Sequence, residues 1–199
     1  VAAGMMALVW IVNEFGTNVI AAYSVAARVN SLATLPAMNF GSALATFVGQ
    51  NLGARKEERV KAGFKATLIM SSFISVAVTL LVVFFGNFIM GLFTSDPNVI
   101  RIGQEYLAIV GSFYIIFSAM FSTSGVLRGA GATVVPMITT ILSLWAIRIP
   151  GAYLLSQHMG PTGIWWAIPL GWLMGLVMAY AYYLTGAWKK KVVVANTPA

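Results

Sequence analysis

The chain has 199 residues, of which 59% are hydrophobic and only 9% charged, against roughly 25% charged in an ordinary soluble domain. Its mean hydropathy of +0.86 excludes a water-soluble globule, which could not hide so much apolar surface. Twelve basic residues against five acidic ones leave a net charge of +7, and with no cysteine and one histidine there is no disulfide framework, thiolate nucleophile or Cys/His zinc site.

The charges are segregated. Residues 29–54, 66–95, 106–127, 129–147 and 149–188 contain no Lys, Arg, Asp or Glu, and a helix needs about 20 apolar residues to cross the hydrocarbon core. The pattern predicts an all-α, polytopic transmembrane bundle of about six spanning helices over residues 1–188, followed by a basic tail over 189–199. Val1 stands inside an apolar run with no basic leader and no cleavage site, so no signal peptide is read, and the first span, Val1–Glu14, reads as cut short at its start.

A tight turn at Phe15-Gly16-Thr17 leads to a long second span, Asn18–Gln50, with Pro36 near its middle as an expected kink. The polar stretch Asn51–Arg59 follows, then a third span at Ala62–Phe85. Asp96-Pro97, in the loop Gly86–Asn98, is a helix stop and restart signal. The fourth span is Arg101–Leu127, ended by Arg128-Gly129-Ala130-Gly131. The fifth is Thr133–Leu155, with Pro136 early and Pro150 late. After a turn at Gln157–Gly163, the sixth runs Ile164–Trp188.

Six crossings bring Arg55, Lys56, Arg59, Lys61, Lys65, Arg128, Lys189, Lys190 and Lys191 to one side, and the opposite loops hold only Arg101. The positive-inside rule makes that side cytoplasmic, C-terminus included. Basic residues divided by apolar spans argue topology rather than nucleic-acid binding. Trp165 and Trp166 at the outer start of span six, and Trp188 at its inner end, read as interfacial anchors.

Polar groups inside a bilayer are costly and are the first functional suspects. At about 100° per residue, Arg28, Ser31, Asn39, Ser42, Thr46 and Gln50 fall on one stripe of span two, within about 60° of a common direction. Lipid does not tolerate such a face, so it lines either a helix interface or a wet cavity. Arg148 lies within span five, where it can snorkel outward, pair with an acid such as Glu14, or meet a substrate. Gly111, Ser118, Ser122, Gly125 and Gly129 form a small-residue packing face on span four. Phe113, Phe117, Met120 and Phe121 beside it are packing residues or apolar ligand contacts. The candidate cavity set is therefore Arg28, Ser31, Asn39 and Ser42, with Phe117 and Met120 as apolar contacts and Arg148 as the intramembrane charge. Enzyme chemistry finds no support: His158 sits in an outer turn without a Ser or Asp constellation, and the glycines of 128–131 do not follow a strand.

Several segments together resemble the multidrug and toxic compound extrusion (MATE) family. They are Ala21-Ala22-Tyr23 with Arg28 and Pro36, the run Phe47–Ala54, Leu127–Ala132 with Pro136-Met137, Arg148-Ile149-Pro150, and Gly163–Pro169. The motifs are similar to those of the second of two six-helix lobes that surround a central cavity. The resemblance implies a C-terminal lobe of a plasma (inner) membrane antiporter that expels small amphiphilic or cationic molecules in exchange for H⁺ or Na⁺. Its partner would be an N-terminal lobe of the same protein, and no organic cofactor, metal or nucleic acid would be involved. The acidic cation-site residues that some members carry on the first and fourth helices of this lobe have no counterpart here. The coupling ion is therefore expected mainly in the other lobe. Two alternatives stay open: a lipid-linked saccharide flippase of the wider superfamily, and a non-transporting membrane scaffold subunit.

Overall fold

The computed structural model describes residues 2–191, and among these all regular structure is helical. The order is α1 (Ala2–Asn13), α2 (Thr17–Gly53), α3 (Glu57–Gly91), α4 (Pro97–Gly111), α5 (Tyr114–Gly129), α6 (Val134–Leu142), a π-helical turn (Ser143–Arg148), α7 (Ile149–Met159), α8 (Pro161–Leu184) and a 3-10 turn (Ala187–Lys191). Helices α2, α3, α8 and the continuous stretch Val134–Met159 are each long and apolar enough to cross a membrane, and α4 with α5 supplies a fifth span bent by 48°. The first expected span, Val1–Glu14, corresponds to α1, whose 12 residues rise about 18 Å at 1.5 Å per residue.

Local chemistry sets the boundaries. Asp96 caps α4, its side chain accepting from the Asn98 N–H at 2.8 Å, and Pro97 takes the first helical position, where its absent N–H costs nothing. Glu57 and Glu58 open α3 four to five residues before the span expected at Ala62, their charges favoured by the positive end of the helix dipole. Glu58 pairs with Lys61 at 2.8 Å, and that hydrogen bond and charge hold its carboxyl below the usual range. Gly160, at φ +62° and ψ −147°, makes the whole turn between α7 and α8, a conformation open to glycine and strained for other residues. The expected seven-residue turn there is therefore much shorter. Helix α2 runs unbroken through Pro36.

The α4–α5 break at Ser112 and Phe113 is a departure from the single fourth span. Its backbone is provided for: Thr79 Oγ1 on α3 donates to the Gly111 carbonyl at 2.7 Å, and Ser112 Oγ donates to the Ala108 carbonyl at 2.7 Å. Inside a bilayer no water is at hand, so a freed carbonyl needs a protein donor.

Helix α5 lies at the centre of the bundle, packed against α2, α3 and α8. The small-residue face of α5 does what the sequence suggested, against two neighbours. A Cβ at Gly41 of α2 would lie 2.7 Å from the Phe121 carbonyl, and Cβ atoms at Gly125 and Gly129 would overlap the carbonyls of Gly41 and Ala45. Ser122 meets Ser71 of α3 at 3.5 Å, while a Cβ at Gly111 would touch Val82 of α3. Backbones this close gain the van der Waals contact that replaces hydrophobic driving force in lipid.

Two of the three expected interfacial tryptophans are packing residues instead. Trp165 is fully buried, stacked on Tyr23 at 5.8 Å and edge-on to Tyr106 at 5.1 Å. Trp188 is buried, stacks on Tyr183 and donates Nε1–H to the Tyr183 carbonyl at 2.9 Å. Only Trp166 keeps an exposed face. Lys189 pairs with Glu57 at 2.8 Å, which ties the end expected to open a free tail to the start of α3. The remainder of that tail, 192–199, lies outside the described residues.

Candidate functional site

The structure divides the seven candidate residues into two groups. Arg28, Ser31, Asn39 and Ser42 are all exposed on one face of α2, as are Thr46 and Gln50. The opposite face of the same helix is buried through Val19, Ala22, Ala26, Val29, Ala37, Leu44 and Val48. The hydroxyls of the stripe bond back to their own helix: Ser31 to the Ala27 carbonyl at 2.8 Å and Ser42 to the Met38 carbonyl at 3.0 Å. Among the described residues none of the six makes a hydrogen bond to another helix, so the stripe is not glue within this bundle. The bundle leaves this face uncovered, with Leu32 and Leu35 exposed among its polar residues, and Arg28 and Asn39 make it costly to turn toward lipid.

Phe117, Met120 and Arg148 come together elsewhere, in a pocket of about 170 Å³ between α5, the π turn and α8. Phe121, Thr140, Ser143, Leu144, Gly171 and Trp172 complete its lining. The seven candidates therefore do not share one pocket. Helix α1 packs against α2 and α7, and its Gly4 sits against Leu144 and Ile149. The pocket is built by α5, the fifth span and α8, none of its lining coming from α2. A wheel projection of α2 gives the direction of its polar face but not which neighbour it meets.

The π turn explains how Arg148 reaches this pocket. Pro150 has no N–H, so the carbonyl four residues earlier, at Ala146, loses its ordinary α-helical donor. The chain re-registers ahead of the proline, with the Ile149 N–H bonding the Leu144 carbonyl five residues back. Such single-turn π insertions re-aim side chains and recur at functional sites. Two contacts with α8 fix the turn. Ser143 Oγ donates to the Gly171 carbonyl, and Gly171 admits the Arg148 stem, since a Cβ there would lie 3.3 Å from Arg148 Cβ. One turn further along α8, a Cβ at Gly175 would come within 2.7 Å of the Met120 sulfur. Two glycines of α8 thus hold the space that two pocket side chains fill.

The aromatic wall is tightly organised. Phe117 lies 4.5 Å from Phe121 and 4.9 Å, edge to face, from Trp172, separations at which offset and T-shaped pairs are favourable. Phe117 is thus a packing hub whose edge lines the pocket. Arg148 is half-buried, its Nε fully enclosed with no hydrogen-bond partner. Among the described residues it pairs with no acid, Glu14 included. No carboxylate lines the pocket.

One polar site went unseen in the sequence. Glu105 belongs to α4, and its carboxylate accepts a hydrogen bond from Thr162 Oγ1. Thr162 is the second residue of α8, so the negative charge stands at a helix N-terminus, where the dipole favours it. This is a clamp between α4 and α8. The Pro161-Thr162 start signal was available in the sequence; its pairing with Glu105 was not, being 57 residues distant.

A groove of about 700 Å³ between α2 and α3 is apolar apart from Thr67 and Arg59 and includes Phe40, Phe47 and Met70. It has no convergent polar groups of the kind that orient a small ligand.

Comparison with known proteins accounts for this arrangement. Residues 1–154 match the MatE family model. The chain is 31% identical over 189 residues to the "Probable multidrug resistance protein YpnP" of Bacillus subtilis (strain 168), covering 95% of this chain and 42% of that protein. It is 28% identical over 183 residues to the "Probable multidrug resistance protein NorM" of Thermotoga maritima, covering 91% and 39%. Among solved structures, it superposes on an outward-facing multidrug resistance MATE family transporter of the MOP superfamily with a TM-score of 0.86 at 20% identity, over 95% of this chain and 44% of that one. An inward-facing MATE transporter gives 0.82 at 21% identity, over 99% and 45%. The chain spans about two fifths of the length of the relatives it matches. On this match of family model, sequence and fold, the chain belongs to the MatE family of multi-pass membrane transporters and has the architecture of one of their half-length helical lobes.

Proposed function

We propose that this chain is the C-terminal lobe of a secondary active antiporter that exports amphiphilic and cationic xenobiotics across the plasma (inner) membrane in exchange for H⁺ or Na⁺. One observation carries the reading: the uncovered polar face of α2. A face carrying Arg28, Ser31, Asn39, Ser42, Thr46 and Gln50 needs water or a polar partner at membrane depth. A second six-helix lobe across a wet central cavity supplies both, and binding at the interface of repeated halves is a common transporter architecture. The printed names of the relatives, multidrug resistance proteins, agree with it. The comparable fits to outward- and inward-facing structures support a lobe that rocks as a unit.

Orientation follows from charge. The Lys189–Glu57 pair brings the end of α8 beside the α2–α3 turn, and Gly129, next to Arg128, packs against Ala45 and Val48 near the same end of α2. The basic residues therefore collect at one end of the bundle, which the positive-inside rule makes cytoplasmic. Ion coupling is assigned to the other lobe. Of the acids here, Glu14, Glu57, Glu58 and Asp96 stand at helix ends, and Glu105 is committed to Thr162.

The test is ethidium efflux by cells that lack their own drug pumps and express the natural gene product. Efflux is expected, and it should stop when the H⁺ or the Na⁺ gradient is collapsed by a selective ionophore. Expression at the membrane without gradient-dependent efflux of ethidium or of other cationic dyes would favour the scaffold reading.

A further inference from the structure

We propose that the pocket around Arg148 is a subsite for an aromatic carboxylate, so that this lobe accepts the anionic end of a substrate as well as the cationic compounds proposed above. The inference starts from an energetic imbalance. Arg148 lies 14 residues into a stretch of helix that runs from Val134 to Met159, about 16 Å from its outer end. A guanidinium at such depth costs several kcal/mol even on the most lenient insertion scales, and arginines that persist there are paired or functional. Here the Nε is enclosed with no partner.

The surroundings say what would relieve it. The two hydroxyls that line the pocket are already committed: Ser143 donates to the Gly171 carbonyl and Thr140 donates to the Pro136 carbonyl at 2.7 Å. No carboxylate lines the pocket, which leaves Arg148 as its one strong free donor. A guanidinium recognises a carboxylate by two parallel hydrogen bonds, the pairing for which its planar fork is best suited. The remaining walls are Phe117, Phe121, Trp172, Met120 and Leu144, flat or soft apolar groups that stack against an aromatic ring. The size agrees. About 170 Å³ is close to the roughly 150 Å³ cavity known to accept benzene, so one ring with its acid group fills it. Gly171 and Gly175 open the α8 side and the π turn sets the arginine, so the pocket is made by the fold and not by a chance rotamer. Use of this subsite in transport rests on the efflux reading above; binding itself does not.

The experiment is calorimetric titration of the purified natural gene product in detergent with benzoate, benzamide and benzamidine, which share a ring and differ in charge. Benzoate is expected to bind with a dissociation constant below about 1 mM, with the neutral and cationic analogues at least ten-fold weaker. Arg148→Gln should weaken benzoate at least ten-fold, and Arg148→Lys, which keeps the charge without the fork, should fall between. Equal binding of the three analogues, or benzoate affinity unchanged in Arg148→Gln, would overturn the proposal. If Arg148→Gln does not fold, the ranking of the three analogues on the unaltered protein decides alone. Because no transport is measured, a failure here is distinct from a failure of ethidium efflux.

Discussion

Replacing Gly125 by Leu is expected to cost the protein its folded state. Helices α2 and α5 approach here backbone to backbone, and even a Cβ at Gly125 overlaps the Gly41 carbonyl. Nothing at that contact is a flexible side-chain end that could swing away. Three further atoms beyond the Cβ can be placed only by separating the helices, which would open the Gly129–Ala45 contact and the buried cluster of Leu44, Val48, Val126 and Leu127 as well. The loss is expected at about 3 kcal/mol or more, at the upper end of overpacking effects. The measure is recovery of monodisperse protein after heating in detergent, where Gly125→Leu should aggregate well below the parent. Gly91→Ala is the control, since a Cβ at Gly91 meets nothing within 4 Å; it should melt as the parent does. A Gly125→Leu protein with parental stability would mean that the α2–α5 contact is not as close as described.

The second large effect is expected on activity and not on folding. Arg28→Leu combined with Asn39→Leu should lower ethidium efflux at least ten-fold, equivalent to about 1.4 kcal/mol, while membrane expression stays at the parental level. Both side chains are exposed on α2 and make no hydrogen bond to another helix of this lobe, so their removal leaves no buried group unpaired. What they lose is the polar lining of the proposed cavity. Phe84→Leu, on the apolar outer face of α3 where Phe84 is 75% exposed, should leave efflux unchanged. Parental efflux in the well-expressed double variant would count against the cavity assignment.

Much of this was legible in the sequence because it depends on local chemistry. Asp96-Pro97 encodes a cap whatever surrounds it. The stripe of α2 and the small residues Ser118–Gly129 of α5 are periodic features of single helices, while Gly111 is set apart from them by the bend at Ser112. What was not legible depends on partners distant in sequence. Trp165 looks like an interfacial anchor until Tyr23 and Tyr106 are placed around it. The bend at Ser112 requires Thr79 of another helix to accept responsibility for the Gly111 carbonyl. The π turn follows from Pro150 but is aimed by Ser143 and Gly171, 28 residues apart. Arg148 could be picked out as an intramembrane charge, and Phe117 and Met120 as apolar neighbours. Their assembly into a pocket without α2 needed the helix order in space.

The central claim, that α2 turns its polar face to water and not to lipid, is tested most directly by cysteine accessibility. The described chain has no native cysteine, so single cysteines at Arg28, Ser31, Asn39 and Ser42 can be labelled by a membrane-impermeant maleimide in the natural gene product, with any cysteines outside this lobe replaced. Cysteines at the buried positions Ala26, Ala37 and Val48 serve as the comparison. The account predicts rapid labelling at the four stripe positions and none at the three buried ones, with the labelled side changing as the transporter is driven between outward- and inward-facing states. Stripe positions as unreactive as the buried ones would contradict it and leave the polar face of α2 as a dry contact with another helix.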